Sequence, residues 1–317
     1  GQAPGLAFYC AFLAGKTYLQ ALNVTRPTIV AAVIANIVNV GICNLLVRGD
    51  DALAIVHLPP IGLPRLGAFG AGIATSIASL VLAVTVLRAA WSVGDRRREP
   101  EDAPVPARTI LRLGLPIGLQ LLAEIGVFTL VAIIAGRLGP LVLSAHQVAL
   151  GLASFTYMGA LGISAATSVR VGQAVGAGES PRRAGFVGIL VGVVYMGLSA
   201  SIFALFPEPL IRLFTSDPDV VALGIVLLRI AAVFQLFDGV QAIAAGALRG
   251  AGDVRFSFVT NVVAYWAIGL PIALALGFRA GWGAAGLWWG LTVGLVLVSI
   301  VLTARFYFLS RRYVARI

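Results

Sequence analysis

Long apolar runs, broken by short polar interruptions, follow one another along the whole chain. A helix needs about 20 residues to cross roughly 30 Å of hydrocarbon. Runs of that order lie at 3–23, 27–48, 67–92, 110–136, 141–169, 184–207, 220–248, 256–278 and 283–309. They are apolar on every face, whereas a membrane β-strand alternates polar and apolar positions over about ten residues. The pattern predicts an all-α polytopic membrane protein with nine transmembrane helices. Between the runs stand turn and capping residues. Ser180-Pro181 and Asp217-Pro218 each place a capping side chain ahead of a proline suited to a first helical turn, and Asn23 to Pro27 separates the first two helices.

One longer hydrophilic stretch, 93–109, contains Asp95-Arg96-Arg97-Arg98-Glu99-Pro100-Glu101-Asp102 and no periodicity. It reads as a solvated linker. It divides the chain into 1–92, with three helices, and 110–317, with six.

Composition makes the bilayer the only fitting solvent. Hydrophobic residues are 59% of the 317, charged residues 11%, and the mean hydropathy is +0.97. Soluble domains carry about 25% charged residues, so a soluble enzyme or a DNA-binding protein is excluded. The net charge of +10 is explained by where the arginines fall. With the loops assigned alternately to two sides, sixteen basic residues gather on one side and five on the other, leaving Lys16 and Arg229 within apolar runs. This asymmetry puts the linker and the C-terminus in the cytoplasm of a multi-pass inner (plasma) membrane protein. Nucleic acid is not needed as a partner. Cys10 and Cys43 form no disulfide framework, and two histidines offer little for metal chemistry.

Two stretches repeat. Ala21-Leu22-Asn23-Val24-Thr25-Arg26 and Ala247 to Arg255 each lead into an apolar span, followed by the Gly-rich starts Gly67 to Gly70 and Gly283 to Gly286. Helices two and three thus resemble helices eight and nine in the same orientation, a parallel repeat of the kind transporters use. If the last six helices are one complete unit, the first three are the tail of another. Together with a start at Gly1 inside an apolar run, this leads us to expect about three further helices upstream.

Of thirteen carboxylates, eleven lie in or beside loops; only Glu124 and Asp238 sit deep within spans. A charge at that depth costs at least ~2.5 kcal/mol and rarely faces lipid. Two uses fit: a protonated carboxyl hydrogen-bonded between helices, or a cation site. Gln120 and Phe128 flank Glu124 one turn away, and Phe234, Gln235 and Gln241 flank Asp238. The amides can supply oxygen ligands to a monovalent cation or join helices. Arg229 is nine residues from Asp238, which puts it on the opposite face; it and Lys16 are expected to snorkel to the interfaces. Tyr157, Tyr265 and the Trp282, Trp288, Trp289 cluster fit either a cavity wall or interfacial anchors, the second use being the commoner. His146 reads as a polar packing residue. The glycine clusters lack the strand-turn-helix setting of a phosphate loop. An enzyme is therefore not expected, nor a cofactor, nor a metal beyond a sodium ion at Glu124 and Asp238.

Leu115-Pro116-Ile117-Gly118-Leu119-Gln120 followed by Glu124 resembles the seventh helix of the multidrug and toxic compound extrusion transporters. Ser144 to Leu150 and Ser168 to Gln173 are similar to that family's eighth helix, and Phe237 to Gln241 with Ala247 to Gly252 to its tenth helix and the following loop. Tyr18 to Leu22 with Thr25-Arg26-Pro27 resembles the equivalent junction of the first half. The resemblance covers the family's helices four to twelve, so that 1–92 corresponds to part of an N-lobe and 110–317 to a C-lobe. It implies secondary active efflux of cationic or amphipathic organic compounds, exchanged by a monomer for sodium ions or protons through alternating access. The coupling ion would sit at Glu124 and Asp238. The alternatives are a lipid-linked oligosaccharide flippase of the same superfamily, which tends to carry a basic cavity, and a truncated remnant that does not transport.

Overall fold

The computed structural model describes residues 3–51, 64–94 and 106–311. Residues 95–105 of the expected linker and 312–317 of the C-terminus lie outside the described residues. Among the described residues the structure is helical without strands. The long helices are α1 (Ala3–Ala21), α2 (Arg26–Arg48), α3 (Gly67–Gly94), α4 (Ala107–Arg137), α5 (Pro140–Ala177), α6 (Arg182–Leu205), α8 (Pro218–Gly250), α9 (Val254–Arg279) and α10 (Gly283–Ser310), with a short α7 (Pro207–Arg212) after α6. All nine predicted runs are helices. Eight of them are long and apolar enough to cross a membrane. The ninth, α1, has 19 residues and is less apolar, carrying Lys16, Thr17 and Gln20.

Turn chemistry sets the boundaries. Asp217 caps α8, its carboxylate accepting the backbone N–H groups of Asp219 at 2.9 Å and Val220 at 3.3 Å ahead of Pro218. Gly178 closes α5 in the left-handed conformation, φ +75°. Ser180-Pro181 differs from expectation. Pro181 itself is the capping residue of α6, and Ser180 reaches only the Arg182 N–H, at 3.5 Å. The helix starts one residue later than the Ser-Pro pair suggested, and its first amides have no side-chain cap.

The chain divides into two compact units, Gly1–Pro104 and Val105–Ile317. In the first, α3 packs against both α1 and α2, around Phe12, Leu19, Ala31, Ala83 and Val86. In the second, α8 is the hub and packs against α5, α6 and α10, while α9 bridges α4 and α10. In place of one uniform α-helix, α9 contains two π-helical stretches, Val263–Gly269 and Ala275–Arg279, on either side of the turn that carries Pro271. Proline removes an N–H and crowds the preceding turn, and a widened ladder is one way for a helix to pass it. Gly290 of α10 lets this segment approach, because a Cβ there would collide with the Ala273 backbone. Small residues at such crossings let membrane helices reach van der Waals contact.

Candidate functional site

Four helices of the second unit bring polar side chains to one buried place. Glu124 is on the inward face of α4, with Gln120 and Phe128 one turn to either side. From α8 come Phe234, Gln235, Asp238 and Gln241, which share a face because their spacing follows the helical repeat. Glu124 and Asp238 are only 8% and 7% exposed, and Gln120, Gln235 and Gln241 are buried with them. Phe128 is half-buried. Adjacent residues of α5 link the two carboxylates, since Tyr157 bonds Glu124 and Thr156 bonds Gln235, one turn before Asp238. Arg229 is exposed while Asp238 is buried, so the two occupy different faces of α8.

The hydrogen bonds explain why the cluster holds its shape. The Tyr157 hydroxyl on α5 donates to Glu124 Oε1 at 3.1 Å. Its neighbour Thr156 donates to Gln235 Oε1 at 2.8 Å. On the other side Gln241 Nε2 donates to Asn261 Oδ1 at 3.1 Å, and Asn261 donates in turn to the Ser257 carbonyl at 3.0 Å. Trp266 of α9 donates its indole N–H to the Ala123 carbonyl at 3.0 Å, tying α9 to α4 beside Glu124. Aromatic rings close one side of the cluster. Phe128 meets Phe234 edge-on at 5.9 Å and Tyr265 at 6.2 Å, and Phe234 meets Trp288 at 5.4 Å.

Several polar atoms in the cluster have no hydrogen-bond partner among the described residues. They are Asp238 Oδ1, Gln241 Oε1, Gln235 Nε2 and the Tyr265 hydroxyl. A buried polar atom without a partner costs about 1–3 kcal/mol, so two unsatisfied oxygens beside a second carboxylate form a place that a proton or a small hard cation would stabilise. Oxygen donors suit such a cation, and soft ligands are missing from the cluster among the described residues. No basic residue forms an ion pair with Glu124 or Asp238 among the described residues.

The residue pattern in sequence pointed to Glu124, Asp238 and their helical neighbours, but not to Thr156 or Asn261. Tyr157 and Tyr265 stood only as cavity or interface candidates. A polar Thr-Tyr pair in the middle of an apolar run was the available signal for Thr156 and Tyr157. Trp288 corrects the preference for interfacial anchoring: it is 1% exposed and donates to His146 Nδ1 at 3.1 Å, because α10 turns that face into the core. Trp282, at the helix start, is exposed.

A bundle of membrane-length helices around a buried carboxylate cluster defines a polytopic membrane protein with a polar site at the heart of its second unit. The MatE family model matches residues 116–275, which span the cluster from Pro116 of α4 into α9. The chain is 38% identical to a "Probable multidrug resistance protein NorM" of Pseudomonas aeruginosa, over 96% of this chain and 63% of that one. It is 35% identical to the Pseudomonas putida protein of the same name, over 97% and 67%. With "Multidrug resistance protein MdtK" of Pectobacterium atrosepticum it shares 33%, over 99% and 68%. Solved structures agree in fold. A eukaryotic MATE transporter, AtDTX14, superposes with a TM-score of 0.80 at 22% identity, covering 97% of this chain and 68% of that one. The bent form of the Vibrio cholerae MATE transporter VcmN gives 0.78 at 18%, covering 98% and 68%. This chain belongs to the MATE family. It spans about 63% of the length of its Pseudomonas aeruginosa relative.

Proposed function

We propose that this protein takes part in secondary active efflux of organic compounds, cationic or amphipathic in kind, with Glu124 and Asp238 as the site of the coupling ion. One observation carries the reading. The two carboxylates deepest in the apolar runs come from different helices and belong to one buried hydrogen-bonded cluster that has unsatisfied oxygens and, among the described residues, no ion-paired base. A carboxylate in that setting requires a counter-ion or a proton, so loading and unloading it can report which face of the membrane the site sees. Coupling then arises because the ion binds one conformation better than the other. The relatives' names, which speak of multidrug resistance, support a drug-like cargo. The buried acidic set favours a cation over the phosphate-linked sugar a flippase carries: Arg229 and Arg249 are exposed, Lys16 is half-buried, and none of them forms an ion pair with either carboxylate. Sodium and proton are both compatible with the oxygen donors.

In this reading the two units are lobes. Residues 1–92 correspond to family helices four to six and 110–317 to seven to twelve, joined by 93–109 on the cytoplasmic side. The protein works as a monomer in the inner membrane and needs no cofactor.

The test is substrate efflux from energised vesicles bearing Glu124→Gln or Asp238→Asn, with membrane abundance checked in parallel. Each substitution keeps shape and removes the charge. Gradient-driven efflux should fall at least tenfold in both, a loss of about 1.4 kcal/mol or more in the coupled step. Efflux at the unmodified rate in both variants would refute the site.

A further inference from the structure

We propose that the arginine-rich end of α6 and α10 is a binding site for one anionic phospholipid, with its phosphate and an acyl chain matched by two adjoining cavities. The phosphate end is a cavity of about 550 Å³ lined by Ser180, Arg182, Arg183, Phe186 and Tyr307. Two guanidinium groups are held against a single ring there: Arg182 lies 5.4 Å from the Tyr307 centroid and Arg311 lies 4.3 Å from it. Cation–π contact positions a guanidinium without neutralising it. Among the described residues, Arg182, Arg183 and Arg311 form no ion pair, and all three are exposed. Gathering like charges without a carboxylate favours an anion, and guanidinium forks match phosphate oxygens.

Phe186 and Tyr307 also line the next cavity, of about 600 Å³, which runs down between α6, α8 and α10 past Val193, Val240 and Ile300. The two cavities thus adjoin at Phe186 and Tyr307, one with a charged lining and the other apolar. Thr303, Ile300 and Phe308 line the apolar one on the α10 side. The order along α10 is thus cation, then hydrocarbon wall. Arg183 and Ser180 also line a neighbouring cleft of about 860 Å³ with Arg170 and Glu179 as well as Val187 and Val191; Glu179 forms no ion pair among the described residues, and the arginines outnumber it at this end. Ile300 and Phe308 are exposed on the flank of a membrane-length helix, so the occupant arrives from the bilayer. Basic pockets between transmembrane helices at an interface recognise lipid headgroups. A soluble phosphate would leave the apolar cavity unused.

The experiment compares lipid retention and thermal stability of the purified protein, using phosphatidylglycerol and phosphatidylcholine with identical acyl chains. The unmodified protein should hold one phosphatidylglycerol in native mass spectrometry after detergent exchange and melt at a higher temperature when it is added. Phosphatidylcholine should do neither. Arg182→Gln with Arg183→Gln should weaken retention at least about tenfold, on the order of fivefold per arginine. Ile300→Trp should block the apolar cavity while leaving α10 folded, since residue 300 is exposed. Circular dichroism verifies folding, and Arg212→Gln, on a residue paired with Glu208 away from this groove, is the control. Equal retention of the two lipids, retention unchanged in the double arginine variant, or an equal loss in the Arg212 control would each overturn the site. None of these outcomes touches the ion site at Glu124 and Asp238.

Discussion

His146 and Trp288 show what a single buried hydrogen bond does in this protein. Trp288 Nε1 donates to His146 Nδ1, and both side chains are about 1% exposed. Trp288→Phe keeps most of the ring contact and removes the donor, leaving an imidazole nitrogen unsatisfied. The expected cost is about 1–3 kcal/mol, read as a lower melting temperature in detergent with efflux largely preserved. Tyr157→Phe should act the other way round. It removes the hydroxyl that donates to Glu124 Oε1 and leaves the fold intact, so efflux should drop severalfold, by less than in Glu124→Gln, with little change in melting. These side chains also mark what could be read before folding. A carboxylate deep in an apolar run is conspicuous wherever it packs, so Glu124 and Asp238 stood out. The partners Thr156, Tyr157 and Asn261 come from other helices. Their role depends on which helices adjoin, and the periodicity of one helix does not contain that.

At the level of elements, hydrophobic length alone located all nine long helices, because a membrane forces backbone polar groups to pair within each segment. Where the helices deviate, the cause is local sterics with a weak composition signal. Pro271 sits in an unbroken apolar run that predicts an ordinary span, and the π-helical stretches on either side emerge only from how the chain passes it. Gly290 faces Ala273 at the crossing of α9 and α10. A valine there has no room and must push the two helices apart, disturbing the segment that carries Asn261 and Tyr265. Gly290→Val should therefore give little monodisperse protein on size exclusion, whereas Gly118→Ala, with open space at that Cβ, should purify like the unmodified chain.

Over the whole molecule, the arginine asymmetry makes a sidedness prediction. In a background with Cys10 and Cys43 replaced by serine, Ser180→Cys and Ser216→Cys place single thiols in exposed loops at opposite ends of the second unit's helices. A membrane-impermeant maleimide should label position 180 only in inverted vesicles and position 216 only in intact cells; the reverse pattern would invert the topology. The depth of the carboxylates adds an electrical consequence. Glu124 stands near the middle of the 31-residue α4, and Asp238 a little past the middle of the 33-residue α8. An ion reaching them from either face traverses about half of the membrane's voltage drop, and a full crossing is worth about 2.3 kcal/mol per charge per 100 mV. With the coupling ion at Glu124 and Asp238, as proposed, its affinity should shift by about 1 kcal/mol, a factor of about five, when 100 mV is imposed across a liposome. A resting potential would then bias the occupancy of the site before any chemical gradient is considered.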